Sequence, residues 1–182
     1  MTARQQWSVV GIIVLVLGIG LTIAARSMKD DLYPVEQGSA APNFSARVLG
    51  DTAHKTFNAN YKGKVVILNV WATYCEPCKR EIPHLNSLLA KYGADKLHIV
   101  GLNVGGEEDR PKIPAFIAAT KVDYALAFPE DELSNMIFAT QSEIPQTAIF
   151  DRQGRMVKKI VGFSPAIQRE LDDAIEQAMQ LQ

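Results

Sequence analysis

The sequence predicts an α/β domain in which a mixed sheet is flanked by helices. Two observations indicate this class. Apolar, β-branched runs alternate with segments of helical spacing, and a short polar turn separates the last two runs. Alternation is typical of parallel strands joined by helices, whereas a short turn joins antiparallel strands. The expected order is a hairpin, then β-α-β, then α-β-α, then β-β-α.

Each strand is predicted from a short apolar run. "KVVILNVW" (Lys64–Trp71) and "LHIVGLNV" (Leu97–Val104) are continuously apolar, as expected of strands buried on both faces. "YALAF" is a further strand, and "TAIFD" and "RMVKKIVGF" form a hairpin around "RQG". Near the start of the domain, "FSARVLG" and "KTFNA" are predicted to pair as an extra hairpin.

Helices are predicted from apolar spacing and from end signals. The first helix follows the two cysteines and ends at Gly93, and its apolar positions are Ile82, Leu85, Leu88, Leu89 and Tyr92. "PKIPAFIAATK" and "DELSNMIFA" predict two more helices. Ser164 is expected to cap the last helix, with Pro165 at its first position.

The composition changes sharply near the N-terminus. Val9–Ala25 is an uncharged apolar run of 17 residues, about the minimum for a bilayer span. Residues 1–26 are therefore predicted to be a transmembrane anchor, and a cleaved signal peptide is the alternative. Residues 27–41 are polar and are interpreted as a linker, which leaves residues 42–182 as the folded domain. With a cytoplasmic N-terminus, both interpretations place the domain outside the cytoplasm.

Charge excludes one class of partner. The chain has 19 basic and 20 acidic residues, so its net charge is -1. This balance gives no electrostatic reason to expect binding to nucleic acid.

The two cysteines of the chain, Cys75 and Cys78, follow a buried strand and begin a helix. A helix N-terminus stabilises a thiolate, and the i, i+3 spacing lets a disulfide form with little backbone movement. Pro77 suits the first helical turn because its missing N–H costs nothing there. We expect Cys75 to be exposed and to attack a disulfide, and Cys78 to be more covered and to resolve the intermediate.

Two other interpretations of the cysteine pair are weaker. Structural zinc needs about four ligands, and the three histidines of the chain show no ligand-like spacing. A static disulfide that closes so small a loop stabilises little on the loop-entropy account. We therefore expect neither a metal nor another cofactor beyond the redox-active Cys75–Cys78 disulfide.

Several motifs together resemble a known family. "WATYCEPC", then "EIP", then "IPQTAIFD" with "RQGRMV" are similar to the membrane-anchored TlpA/ResA group of thiol–disulfide oxidoreductases. The resemblance covers Ala41–Gln182. It implies a thioredoxin-like fold with an N-terminal β-hairpin and a central α-β insertion at about Pro111–Phe128. It also implies a cis peptide bond between Ile144 and Pro145 that faces the cysteines.

The same resemblance directs attention to Glu81. Thioredoxins carry a buried aspartate six positions before the first cysteine, where this chain has Asn69. The TlpA/ResA group tends to have a glutamate six positions after that cysteine, and Glu81 stands there. Such a carboxylate can tune the pKa of Cys78 or accept its proton. The alternative is a solvated charge on the helix face, beside Lys79 and Arg80.

Three residues around the cysteines have predicted supporting roles. Trp71 is expected to pack beside the dithiol and Tyr74 to offer an apolar rim to partners, although plain core and surface aromatics fit equally well. Glu76 adds negative charge near Cys75, which opposes the thiolate and favours the reducing direction.

The resulting functional hypothesis is an extracytoplasmic reductase of protein disulfides. The resemblance implies exported substrates such as apocytochrome c, in cytochrome c biogenesis, and a membrane thiol reductant as electron donor. A peroxiredoxin-like peroxidase is one alternative, but Ala72 and Leu68 stand where that chemistry wants a hydroxyl and a proline. A copper-delivery module is another, but it usually needs C-x-x-x-C and a partnering histidine.

Overall fold

A computed structural model of the chain describes residues 7, 11–22, 37–41, 45–50, 54–56, 61–138 and 142–181. The chain divides into two compact units, Met1–Pro34 and Val35–Gln182. In the first unit, residues 11–22 are helical. None of the helices in these described ranges is long and apolar enough to cross a membrane. Other parts of the predicted anchor or signal, residues 8–10 and 23–26, lie outside the described residues.

The second unit contains one seven-stranded sheet and four α-helices among its described residues. Its strands are β1 (Ser45–Val48), β2 (His54–Thr56), β3 (Val65–Trp71), β4 (Leu97–Asn103), β5 (Ala125–Pro129), β6 (Gln146–Phe150) and β7 (Met156–Val161). Its helices are α1 (Glu76–Tyr92), α2 (Ile113–Thr120), α3 (Asp131–Phe138) and α4 (Pro165–Gln180), and a short 3₁₀ turn (Arg110–Lys112) precedes α2.

The sheet is mixed, as predicted. Its strand order is β2-β1-β5-β4-β3-β6-β7. The central strands β3, β4 and β5 are parallel to one another, and β6 and β7 add an antiparallel hairpin beside β3. The predicted N-terminal hairpin is also confirmed, because β1 pairs antiparallel with both β2 and β5. The predicted helix caps hold as well: Ser164 accepts a hydrogen bond from the N–H of Ile167.

Strand β3 is the centre of the core, and all seven of its residues are buried. Side chains alternate between the two faces of a strand. Val66, Leu68 and Val70 join the apolar cluster on one face of the sheet. Val65 and Ile67 join the cluster on the other face, against α1 and α4. By the same alternation Asn69 and Trp71 point toward the α1 face, so the strand itself aims a polar side chain at α1.

A third apolar cluster lies at the carboxyl end of β3. It contains both cysteines and brings together residues from β3, α1, α2 and β5; its buried members are Trp71, Cys75, Cys78, Ile82, Ile113, Phe116 and Leu126. Carboxyl ends of parallel strands are where α/β sheets place ligands and chemistry. The cysteine pair therefore occupies the position that the predicted topology assigned to it.

Contacts of the domain begin within the predicted linker. The N–H of Gly38 donates to the carbonyl of Met156, and the N–H of Ala41 donates to the carbonyl of Gly154. Ala40 forms an isolated antiparallel bridge with Arg155. This part of the segment thus pairs with the β6–β7 hairpin, because its backbone groups find partners along the exposed edge of that hairpin.

Candidate active site

The site is built around a disulfide between Cys75 and Cys78, whose Cα atoms are 5.3 Å apart. Cys75 is the N-cap of α1, with extended backbone angles (φ -85°, ψ 101°), and Pro77 lies in the first turn as predicted. The Sγ atom of Cys75 accepts a hydrogen bond from the backbone N–H of Cys78 at 3.2 Å. An N-cap side chain that accepts from the first turn satisfies a free N–H donor, and the helix dipole favours negative charge there.

The expected exposure of Cys75 is wrong. Cys75 is only 5% exposed, and Cys78 is fully buried. The neighbouring Tyr74 projects into solvent, with 64% of its surface exposed, whereas Cys75 turns inward onto the cluster around Trp71 and Phe116. The predicted ranking of exposure nevertheless holds, because Cys75 is more exposed than Cys78.

Aromatic and apolar side chains surround the disulfide. Trp71 is buried in the same cluster as both cysteines, and its ring stacks on Phe116 with centroids 4.7 Å apart. Ile144 packs against this cluster, and the Ile144–Pro145 peptide bond is cis, as the resemblance implied. Trp71 thus packs beside the dithiol, and Tyr74 forms an exposed rim next to it.

Glu81 is not a solvated surface charge. The side chain is 1% exposed, and it points from α1 toward the sheet. Its Oε2 accepts a hydrogen bond from Asn69 Nδ2 at 2.7 Å, and its Oε1 accepts one from the Thr147 hydroxyl at 2.7 Å. Burial raises the pKa of Glu81 from its ordinary 4.5 to about 7, although these two hydrogen bonds act to lower it. A carboxyl with this pKa exchanges protons near neutral pH.

Two further members of this hydrogen-bond network were not predicted from the sequence. Thr147 lies opposite Asn69 in the antiparallel register of β3 and β6, and it also accepts from Asn69 Nδ2 at 3.1 Å. The Tyr124 hydroxyl donates to Asn69 Oδ1 at 3.5 Å. Burial, followed by the neighbouring Glu81 carboxylate, raises the pKa of Tyr124 well above its ordinary value. Thr147 could have been found from the sequence, because β3 and β6 are mostly apolar strands that each contain a polar residue, Asn69 and Thr147, and these two residues are paired in the sheet.

Glu76 is exposed and engaged with a lysine of its own helix. Its Oε1 accepts from Lys79 Nζ at 2.5 Å, and this hydrogen bond and charge lower the pKa of Glu76. The predicted repulsion of a Cys75 thiolate is therefore partly neutralised by Lys79.

A second buried carboxylate, Asp109, was also missed. It lies in the loop after β4 but is fully buried. Its Oδ2 accepts from the N–H of Thr73 at 3.0 Å and from Asn103 Nδ2 at 2.8 Å, and its Oδ1 accepts from the Thr73 hydroxyl. Burial acts to raise the pKa of Asp109, but the hydrogen bonds from Asn103 and Thr73 outweigh it and hold the pKa below its ordinary value. The surrounding sequence "GGEEDR" is typical of a solvated loop, so no local sequence pattern predicts that Asp109 is buried.

A groove of about 640 Å³ is lined by Tyr74, the residue before Cys75. Tyr74 and Ile144 line it on the side of the cysteines, and Val104 and Phe128 contribute apolar surface further along. Arg110 crosses the face of Phe128, with its guanidinium carbon 4.4 Å from the ring centroid, and pairs with Glu107 at 3.0 Å.

Within the ranges that the structure describes, no three His, Cys, Asp or Glu side chains are grouped so that they could hold a metal ion.

Comparison with known proteins identifies the class of protein to which this fold and site belong. A sequence profile of the AhpC/TSA family matches residues 37–159. The chain is 32% identical over 167 residues to the thiol-disulfide oxidoreductase ResA of Geobacillus thermodenitrificans, covering 87% of this chain and 90% of the relative. It is 32% identical over 154 residues to ResA of Bacillus subtilis, covering 83% of this chain and 81% of the relative.

Solved structures agree with the sequence relatives. A crystal structure from Chlorobium tepidum, assigned as a thiol:disulfide interchange protein DsbE, matches with a TM-score of 0.68 at 27% identity, covering 80% of this chain and 99% of that one. A protein from Bacteroides thetaiotaomicron, assigned as a protein disulfide isomerase, has a TM-score of 0.67 at 24% identity, covers 81% of this chain and 92% of that one, and supports the fold alone. The fold is thioredoxin-like, as predicted. The chain belongs to the AhpC/TSA family, within which it is a ResA-like thiol-disulfide oxidoreductase.

Proposed function

We propose that this protein reduces disulfides of exported proteins, with Cys75 as the attacking and Cys78 as the resolving cysteine. The observation that carries this proposal is the combination of a disulfide at a helix N-terminus with a buried carboxyl, Glu81, one helical turn beyond Cys78. The membership in a group of thiol-disulfide oxidoreductases supports it.

The reaction requires two exchange steps and transfers two electrons. The Cys75 thiolate attacks one sulfur of the substrate disulfide, forms a mixed disulfide, and releases the other substrate sulfur as a thiolate. The Cys78 thiolate then attacks Cys75 Sγ and displaces the remaining substrate thiolate. The substrate is reduced, the protein is oxidised to the Cys75–Cys78 disulfide, and an external dithiol must reduce that disulfide before the next turnover.

The order of attack follows from access and charge. Cys75 Sγ accepts the N–H of Cys78 and lies at the positive end of the α1 dipole, and both features stabilise its thiolate. Cys78 is fully buried, so a protein substrate does not reach it directly. Cys78 instead meets Cys75, whose Cα lies 5.3 Å away, inside the mixed disulfide.

Glu81 takes the proton from Cys78 in the second step. A free cysteine has a pKa of about 8.5, so a buried Cys78 needs a base near neutral pH. Glu81 has a pKa raised to about 7 by burial, and as the carboxylate it is a matched acceptor. Asn69 and Thr147 hold the two carboxyl oxygens, so the group is oriented before the proton arrives.

Substrate and location follow from the same chemistry and from the N-terminal sequence. The apolar run Val9–Ala25 supports a membrane anchor or signal that places the domain outside the cytoplasm, in a periplasm or on the outer cell face. Exported proteins acquire disulfides there, including C-x-x-C pairs such as that of apocytochrome c, which must be reduced before haem attachment. A membrane thiol reductant is the proposed electron donor.

Substrate trapping in the native host tests the proposed function. The variant Cys78→Ser stops the reaction at the mixed disulfide, and the double variant with Cys75→Ser is the matched control because it cannot form one. We expect exported proteins with cysteine pairs to be captured only by the single variant. Capture of cytoplasmic proteins alone, or equal capture by the control, would contradict the proposal.

Location has its own test. Protease treatment of intact cells, or of cells with a permeabilised outer layer, should digest the domain while cytoplasmic markers survive. Protection of the domain until the inner membrane is lysed would place it in the cytoplasm and overturn this part of the proposal. The mass of the isolated N-terminus then separates a retained anchor from a cleaved signal.

A further inference from the structure

Asp109 is a buried charge that the proposed reaction does not use. Its side chain is fully buried, although Glu107 and Glu108 beside it in the same loop are exposed. Burying a carboxylate is strongly unfavourable unless hydrogen bonds compensate. Three hydrogen bonds compensate for the burial of Asp109. The segments that supply the three donors are therefore the segments that the carboxylate connects.

Two of the three donors belong to one residue, Thr73, which lies two positions before Cys75. Thr73 donates both its backbone N–H and its hydroxyl to Asp109. The third donor is Asn103, the last residue of β4, whose Oδ1 in turn accepts from the N–H of Gly105 at 3.2 Å. The carboxylate therefore ties the loop that precedes Cys75 to the loop that follows β4.

The first of these loops sets the direction of Cys75. It is a tight turn in which the N–H of Cys75 donates to the carbonyl of Ala72 at 3.2 Å, and Thr73 lies inside it. A fixed Thr73 fixes the path of the backbone into the N-cap of α1. Thiol–disulfide exchange needs the attacking sulfur aligned with the bond it breaks, so a displacement of about 1 Å costs on the order of 100-fold in rate.

The second loop forms part of the groove wall. Gly106, Glu107 and Arg110 line the same groove as Tyr74. The approach of Asp109 to the loop is close, because a Cβ on Gly105 would overlap the Asp109 carboxylate. Asp109 thus sets the wall of the groove and the attacking cysteine in one arrangement.

We propose that Asp109 is a positioning residue for the exchange reaction: acting through Thr73, it holds Cys75 Sγ and the groove wall in the arrangement that attack requires. Asp109 has no proposed contact with the substrate or the reacting sulfurs. The inference rests on the proposed role of Cys75 as the attacking cysteine.

Charge and position make different predictions for Asp109→Ala. Loss of a negative charge near the site would by itself lower the pKa of Cys75 and speed exchange below that pKa. It would lower the plateau rate by only about threefold for each pH unit, because a less basic thiolate is a weaker nucleophile. Loss of positioning slows exchange at every pH, including the plateau at which Cys75 is fully ionised. Alanine removes all three hydrogen bonds. Asparagine is the poorer choice, because its carbonyl can accept from the Thr73 N–H and from Asn103 while its amide donates to the Thr73 hydroxyl.

The test compares exchange rates of pre-reduced variants with a disulfide-bonded peptide between about pH 5 and 9. Asp151→Ala is the matched control, because Asp151 is also buried in a loop and accepts two backbone N–H bonds, from Gln153 and Arg155. Both variants should lose stability in urea. We expect the plateau rate to fall about 10-fold or more for Asp109→Ala and to change by less than about twofold for Asp151→Ala.

A second pair of variants isolates the hydroxyl. Thr73→Ser keeps both donors and should exchange at nearly the wild-type rate, whereas Thr73→Val keeps only the N–H and should be several-fold slower. Should Asp109→Ala not fold, this pair decides, and equal rates for the two overturn the proposal. A plateau in Asp109→Ala that is unchanged, or that falls no further than the lowered pKa of Cys75 explains, also overturns it.

Failure of the proposed function is seen separately. If the wild-type protein does not exchange with the peptide, or if Cys75→Ser still exchanges, then the role of Cys75 itself is wrong, whatever the Asp109 variants do.

Discussion

Glu81→Gln should make the protein more stable at alkaline pH and slower in exchange. Glu81 is 1% exposed, and burial raises its pKa from 4.5 to about 7. The folded state therefore binds more protons than the unfolded state between these values, so stability falls as pH rises through this window. The stability that the protonated Glu81 contributes is fully present below about pH 4.5 and fully lost above about pH 7.

The size of the effect follows from the two pKa values. The pKa of Glu81 rises by about 2.5, from 4.5 to about 7. At 1.36 kcal/mol for each pH unit, this rise corresponds to a change of about 3 kcal/mol in the free energy of unfolding. Glutamine stays neutral and can retain both contacts, since its carbonyl accepts from Asn69 and its amide donates to Thr147. The stability difference between Glu81→Gln and wild type should rise from near zero at pH 4 to about 3 kcal/mol at pH 8.5.

The assay is urea unfolding of the oxidised protein at a series of pH values. The exposed Glu143→Gln carries the same chemical change in solvent and serves as the control. A stability difference that stays constant from pH 4 to 8.5 would refute the claim that Glu81 is buried with a raised pKa. In parallel, the resolving step of Glu81→Gln should be roughly 100-fold slower at pH 7, because Cys78 loses its proton acceptor. An unchanged rate of resolution would remove Glu81 from the mechanism.

Three further changes test other parts of the structure. Asn69→Asp places a second carboxyl next to Glu81, so the pH range in which stability is lost should move upward by about one pH unit, read from the same unfolding series; no movement would contradict the contact. Gly101→Ala adds a Cβ 2.5 Å from Leu126 Cδ2, and it should lower the free energy of unfolding by about 1–3 kcal/mol in urea, whereas a neutral result would show that this layer can yield. Tyr74→Ala should leave stability within about 0.5 kcal/mol because Tyr74 is 64% exposed, yet raise the KM for a protein disulfide; an unchanged KM would remove Tyr74 from the docking rim.

The fold was largely predictable because its central strands are uninterrupted apolar runs. β3 and β4 are seven residues each and almost wholly buried, so their sequence pattern is unambiguous. The cysteine pair was placed correctly for the same reason, since it directly follows β3. The exposure of Cys75 was mispredicted because the turn before α1 directs Tyr74, rather than Cys75, into solvent.

The environment of Glu81 depends on contacts between distant segments. Its neighbours in sequence, Lys79 and Arg80, are typical of a solvated helix face. Its burial is decided by Asn69 and Thr147, which meet only when β3 and β6 pair in register. The resemblance to a family was needed to select it from the sequence.

Neither the sequence pattern nor the family resemblance predicted the burial of Asp109. The loop around it is polar and acidic, and only the folded structure brings Thr73 and Asn103 to its carboxylate. Loop residues that are buried by long-range hydrogen bonds carry no periodic signal, because the pattern of a helix or strand is absent.

The central claim is that Cys75 attacks a substrate disulfide and Cys78 resolves the intermediate. The most direct measurement is intact-mass and peptide-mass analysis of pre-reduced Cys78→Ser and Cys75→Ser after mixing with a disulfide-bonded peptide. We expect a stable adduct of one peptide on Cys75 in Cys78→Ser. In Cys75→Ser we expect at most slow, minor labelling of Cys78, because Cys78 is fully buried. Rapid adduct formation on Cys78, or none on Cys75, would contradict it.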